Sequence, residues 1–386
     1  MSTAPVFVAG IGATEFSRAS GRSVGALARE AALSALADAQ LAPGDVGAVV
    51  PVGGSLFTED VIAGLGLDDD VADLLPPPGG NGGLNSVGTA ETILRSGLAD
   101  VALVVFARNG RSANRIGRRV TALPGQQFRE FLERPYGWTS PAQWYAMIAQ
   151  RHMAEYNTSP DALAEVALTM RAHAQLNPAA MMFGRTMTRE DYDASPMFTE
   201  PYRLFDCCLE TDGAVAVVMT SRDRGVLDVG ARDIPLLAFS AARPESADDL
   251  TNREDWFRIG LTTAAPAAYE QASLGPHDVD TAMIYDCFTF EVLHQLEEAG
   301  FCPRGEVDSF VASGALRLGG SLPTNTHGGL LSEGHLLGLS HVAEAVRQLR
   351  GEATGRQVDD ARIAAVTGWG DWGDGSMALL GGRDMR

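Results

Sequence analysis

Two periodicities alternate along the chain. Strand-sized apolar runs such as Val6-Phe7-Val8-Ala9, Ala48-Val49-Val50 and Val101 through Phe106 separate stretches whose apolar residues recur every three to four positions. The first pattern predicts β-strands and the second amphipathic helices. Helices are expected over 23–39, 88–96, 143–156, 262–272 and 341–349, with strands over 48–52, 101–106, 213–219, 282–285 and 362–367. A repeat lies on top of this alternation. Leu41-Ala42-Pro43-Gly44-Asp45-Val46 joins an alanine-rich helix to a strand, and Leu274-Gly275-Pro276-His277-Asp278-Val279 does the same later, with Leu, Pro, Asp and Val in register. A second helix–strand pair echoes in each half, each helix ending at a glycine (Gly97, Gly351). Alternating elements predict an α/β fold, with parallel-rich sheets covered by helices. Two related halves follow from the repeat: residues 1–233, lengthened by a loop domain inserted at about 108–200, and residues 234–386.

A chain of 386 residues is too long for one simple core, which agrees with two halves. Its 30 basic residues against 49 acidic ones give a net charge of −19, and every basic residue is arginine. Without lysine there is no Schiff base and no P-loop. The acidity argues against wrapping a nucleic-acid backbone. No apolar run approaches the roughly 20 residues of a membrane span. The N-terminus enters a strand without a leader pattern, and four cysteines lack Cys-x-x-Cys spacing, so a reduced, cytoplasmic protein is expected.

Several segments could carry chemistry. Gly10-Ile11-Gly12 resembles the start of a dinucleotide fingerprint, but Glu15 replaces its third glycine, so a plain turn is expected. Pro323 to His335 is dense in polar residues and glycine. His327, His335 and His341 lack metal-ligand spacing, and no metal is expected. His335, beside Gly334 at the mouth of a helix, is the better functional candidate. Tyr285-Asp286-Cys287-Phe288 closes a strand, where open α/β sheets keep their ligand crevices, and a tyrosine there can move a proton. The loop Thr367 to Ser376 could present backbone N–H groups to an oxyanion. Arg108, Arg111, Arg115, Arg118, Arg119, Arg129 and Arg134 form a basic island with only Glu130 and Glu133 among them. Guanidinium forks suit phosphate, so this island reads as a coenzyme A or partner surface.

Cys207-Cys208-Leu209-Glu210-Thr211-Asp212-Gly213, Tyr285-Asp286-Cys287-Phe288, Gly300-Phe301-Cys302, His327-Gly328-Gly329 to Gly334-His335 and the terminal glycine loop together resemble the thiolase superfamily, closely its sterol-carrier/lipid-transfer branch. The resemblance spans the chain. It implies a five-layer αβαβα fold of two pseudo-twofold-related halves, a dimeric core and an acyl-CoA thioester substrate. The departures are chemical. The family's nucleophilic cysteine falls on Gly80, and its second cysteine near Trp369. The branch's His-Asp-Cys-Phe becomes Tyr285-Asp286-Cys287-Phe288, while Gly-His-Pro survives as Gly334-His335-Leu336.

This pattern resembles the thiolase-like aldolases of steroid side-chain degradation, which lack the nucleophile and act with a small OB-fold, zinc-ribbon partner. In them tyrosines stand at the positions of both Tyr285 and His335. The resemblance implies a retro-aldol lyase on a β-hydroxyacyl-CoA, with Tyr285 and His335 exchanging protons and Gly80, His327 and Gly373 holding the thioester or its oxyanion. No cofactor is expected beyond coenzyme A within the substrate. A heterotetramer with the partner would follow. Two rivals stand beside it: an acyltransferase or Claisen enzyme using Cys287 as a displaced nucleophile, and a non-catalytic acyl-CoA carrier or scaffold.

Overall fold

The computed structural model describes residues 4–53, 56–68, 70–77, 79–113, 115, 131–221, 232–244, 253–370, 373–382 and 385. The first half runs β1 (Val6–Ala13), α1 (Val24–Asp38), β2 (Ala48–Pro51), α2 (Thr58–Leu65), β3 (Ala72–Asp73), α3 (Gly82–Ser96) and β4 (Val101–Asn109). Between β4 and β7 (Asp212–Ser221) come α4 (Pro141–Tyr156), α5 (Pro160–Ala174), α6 (Arg189–Asp193) and the hairpin β5 (Met197–Thr199) and β6 (Tyr202–Arg203). The second half contains β8 (Ile234–Ala242), α7 (Gly260–Ala272), β9 (Thr281–Ile284), α8 (Thr289–Glu298), α9 (Val307–Ala312), α10 (Gly329–Ser332), α11 (Leu339–Arg350), β10 (Ile363–Trp369) and β11 (Gly375–Gly381).

Nine strands form one sheet in the order β3-β2-β4-β7-β1-β8-β11-β10-β9. Read outward from the central β1·β8 contact, β1-β7-β4-β2 mirrors β8-β11-β10-β9. Helices α3 and α11 pack against strands of both halves, while α1 covers β1, β4 and β7, and α7 covers β8, β10 and β11. The two halves of this one sheet therefore lie on either side of α3 and α11, and the layers run helix, half-sheet, helix, half-sheet, helix. Strand β4 shows why its sequence is apolar without interruption. Val101, Leu103 and Val105 face the core under α1, whereas Ala102, Val104 and Phe106 face the core around α3 and α11. Burying each such valine or leucine contributes about 1.5–3 kcal/mol.

Two expectations are corrected. The sheet is mixed, not parallel-rich: only β2·β3, β2·β4 and β9·β10 are parallel among its pairings in the described residues. A tight loop joins β10 to β11, which forces an antiparallel pair. Gly10 and Gly12 lie inside β1 rather than in a turn. A Cβ at either would collide with the α1 backbone at Ala35 or Ala31. These glycines let strand and helix approach closely.

Candidate active site

The ends of β4 and β9, the approach to β7, the start of α3 and the loop before α11 meet at one place. Tyr285 follows β9 directly. Its N–H donates to Thr367 O (3.3 Å), and its carbonyl accepts from Gln295 Nε2 (2.7 Å). Gln295 Oε1 in turn accepts the Thr367 hydroxyl (2.9 Å), so β10 and α8 fix the tyrosine backbone. The Tyr285 hydroxyl lies 3.2 Å from His335 Nε2. His335 is buried, and its own N–H donates to Thr211 Oγ1 (2.9 Å).

Arg108 holds the other side of that ring. Its Nη1 is 3.0 Å from His335 Nδ1. Only 1% of Arg108 is exposed, and its Nε and Nη2 have no hydrogen-bond partner among the described residues. A Cβ at Gly110 would run into the guanidinium, so that glycine leaves the space it occupies. Burial pushes the Arg108 guanidinium below its ordinary value, and Cys208, Tyr285, Cys287 and Glu210 pull it back up. An arginine remains charged through such a shift.

Gly80 stands just before α3. A Cβ there would lie 3.3 Å from the Tyr285 hydroxyl and 2.9 Å from Trp369 O. The spot facing the tyrosine thus carries no side chain. Cys208 and Cys287 complete the surroundings, with Sγ atoms 3.6 Å apart. A cleft of about 720 Å³ reaches this place at Cys208. Its walls include Met181, Met182, Phe198, Leu204, Phe205 and Phe288, and Arg18, Arg111, Arg115 and Arg171 supply its positive charge. Such a passage suits a molecule that is apolar in part and anionic in part.

Residues 242–383 match the thiolase C-terminal domain-like family. Over 380 residues the chain is 38% identical to the steroid side-chain-cleaving aldolase of Thermomonospora curvata, covering 94% of this chain and 95% of that one. The chain belongs to the thiolase superfamily. It is also 38% identical to the 17-hydroxy-3-oxo-4-pregnene-20-carboxyl-CoA lyase of Mycobacterium tuberculosis, covering 94% of this chain and 96% of the relative. The solved Ltp2-ChsH2(DUF35) aldolase superposes with a TM-score of 0.90 at 35% identity, over 98% of each chain. No helix among the described residues is long and apolar enough to cross a membrane.

Within this thiolase fold, the residues singled out from the sequence divide. Tyr285, His335, Gly80 and Cys287 come together. His327 does not join them. Fully buried, it contacts His341 Nδ1 (3.2 Å) through Nε2, and His341 binds Asp286 (3.1 Å). Burial holds His327 well below the usual histidine value. It therefore belongs to a structural network behind the site, not to thioester binding. Gly373 also departs from expectation, because its N–H donates to Gly370 O (2.9 Å) within the loop. An oxyanion would have to compete with that bond.

The basic island divides as well. Arg108 is in the site rather than on a surface. Arg111 and Arg115 line the cleft, Arg115 pairing with Glu210 (2.6 Å). Arg118, Arg119 and Arg129 lie outside the described residues. Arg18 and Arg171 were not singled out from the sequence, and Cys208 entered only as part of a marker segment with no role at the site. Ligand atoms of Cys208, Cys287 and His335 lie within 4.8 Å of one another, a grouping invisible in linear spacing. A divalent cation there would sit beside the buried Arg108 charge, which opposes it.

Proposed function

We propose that this protein cleaves the Cα–Cβ bond of a β-hydroxyacyl-CoA by a retro-aldol route centred on Tyr285 and His335. It is a carbon–carbon lyase of the acyl-CoA class, as the relatives at 38% identity are named. The observation that carries the mechanism is the Tyr285–His335 contact of 3.2 Å, facing Gly80 where a thiolase keeps its nucleophile. The pair takes the β-hydroxyl proton as Cα–Cβ breaks, releasing a ketone or aldehyde and leaving a thioester enolate. A proton returned to Cα completes the shortened acyl-CoA. The positive end of α3, beside Gly80, is the place to hold the enolate oxygen. A well-aimed donor of this kind contributes about 3–4 kcal/mol. The thioester acts as electron sink, so neither a lysine nor an acyl-enzyme is required.

The apolar walls of the cleft support a bulky acyl group such as a steroid side-chain thioester, and Arg111 and Arg115 suit coenzyme A phosphates. A homodimeric core assembled with a small OB-fold, zinc-ribbon partner, in a cytoplasmic heterotetramer, fits the resemblance and the relative solved as an Ltp2-ChsH2(DUF35) aldolase. The test is incubation, with and without such a partner, with CoA thioesters bearing a tertiary β-hydroxyl. Mass spectrometry should find a released ketone and a shortened acyl-CoA. Acyl-CoA binding with no cleavage under either condition would favour the carrier reading.

A further inference from the structure

We infer that Arg108 is a positioning residue that fixes His335 as a permanent Nε2–H donor, and so assigns both proton transfers to Tyr285. The inference rests on the lyase reading above. An arginine side chain has only N–H donors. The His335 Nδ1 that faces Arg108 Nη1 at 3.0 Å must therefore present its lone pair. The ring proton then sits on Nε2, directed at the Tyr285 hydroxyl oxygen 3.2 Å away.

This geometry removes His335 from proton transfer in both directions. An imidazolium would set N–H against N–H and place two cations side by side in a buried site. Giving up the Nε2 proton would leave an imidazolate while Nδ1 still accepts from Arg108. The ring instead holds one hydrogen bond to Tyr285 throughout. Arg108 adds a buried positive charge that no carboxylate of the described residues meets in an ion pair. The groups facing it are Cys208 and Glu210 from the segment before β7, Tyr285 and Cys287 after β9, and His335 before α11. An anion forming on the Tyr285 oxygen is stabilised by that charge and by the His335 N–H.

The steps balance on one residue. The Tyr285 phenolate takes the β-hydroxyl proton. The oxygen's electron pair becomes the C=O bond, and the Cα–Cβ pair moves to Cα as the enolate. The phenol then returns a proton to Cα and is a phenolate again. Nothing is oxidised or reduced.

The first test needs no turnover. Nitrogen-15 NMR of histidine-labelled protein, with the His335 signals located by their loss in His335→Gln, should show a protonated Nε2 and an unprotonated Nδ1 at neutral pH. A protonated Nδ1 in an active enzyme would overturn the inference and leave the lyase reading intact. An Nε2–H ring in a protein that cleaves no β-hydroxyacyl-CoA would do the reverse. The second test compares variants. His335→Gln can donate a hydrogen bond but cannot relay a proton, and should retain at least tenfold more kcat than His335→Ala. Equal loss in both would contradict the inference. Arg108→Gln should move the acid limb of the kcat–pH profile upward by about one unit or more, because a cation favours the phenolate. Arg108→Lys should hold the limb closer to its original place. An unmoved limb in a folded Arg108→Gln protein would also count against it.

Discussion

A side chain on Gly80 would lie 3.3 Å from the hydroxyl of Tyr285. At the position that the family resemblance gives to the nucleophilic cysteine, this chain has bare backbone beneath a tyrosine oxygen. The two features are coupled, since the space that one needs exists because the other lacks a Cβ. Gly80→Ala is therefore expected to lower kcat/KM by tenfold or more. The same methyl would sit 2.9 Å from Trp369 O, so a fall in Tm of a few degrees should accompany it. Steady-state kinetics alongside a thermal melt separates the two effects.

Cys287 is half-buried and its sulfur lies 3.6 Å from that of Cys208. In the retro-aldol route neither thiol forms a bond to substrate. Cys287→Ala should keep kcat within about threefold of the parent protein, and intact-protein mass should show no acyl adduct during turnover. An abolished reaction with an adduct on Cys287 in the parent protein would favour the acyltransferase alternative.

Arg111 and Arg115 line the cleft. If they bind coenzyme A phosphates, charge removal weakens ground-state binding and leaves the chemistry alone. Arg111→Ala and Arg115→Ala should each raise KM severalfold with kcat nearly constant. The difference should shrink as salt is added, since exposed charges are screened. Titrating coenzyme A against each variant at two ionic strengths checks this.

Burial pushes the Glu333 carboxyl up to about 8 from an ordinary 4.5. Asn177 binds its Oε1 (2.9 Å), while Oε2 has no hydrogen-bond partner among the described residues and stands 3.6 Å from a His327 ring that burial keeps neutral. The folded protein thus holds a proton that the unfolded chain releases above about 4.5. Between pH 4.5 and 8 the unfolded state binds fewer protons, so this group makes stability fall as pH rises. Glu333→Gln should remove that part of the fall. Melting curves should show it more stable than the parent by a few degrees at pH 9 and nearly equal at pH 4.5.

The layered architecture was legible because patterning and repeat reinforce each other: Leu41 to Val46 and Leu274 to Val279 mark equivalent turns before β2 and β9. Helix α3 was read from residue 88, yet it begins at Gly82, because Gly82, Gly83 and Gly88 weaken its local signal. Strand direction was missed because alternation alone does not reveal that β11 returns beside β10. Tyr285 and His335 were found through motifs, but their contact required the fold. Arg108 looked like part of a surface island. The missed signal was strand period: Ala102, Val104 and Phe106 face the inner core, and Arg108 is the next residue on that side. A charge continuing a buried row is a site candidate that composition cannot show. Cys208 lies in a stretch whose meeting with Cys287 depends on long-range packing.

The central claim is cleavage through a thioester enolate without a covalent acyl-enzyme, and the reaction in D2O tests it most directly. A tertiary β-hydroxyacyl-CoA should yield a ketone and a shortened acyl-CoA carrying one deuterium at Cα, with the protein mass unchanged during turnover. Tyr285→Phe should slow that product by a hundredfold or more, the lower end of what a lost general acid–base contributes. A shortened acyl-CoA without deuterium, formed through an acylated protein at a rate Tyr285→Phe leaves untouched, would contradict it.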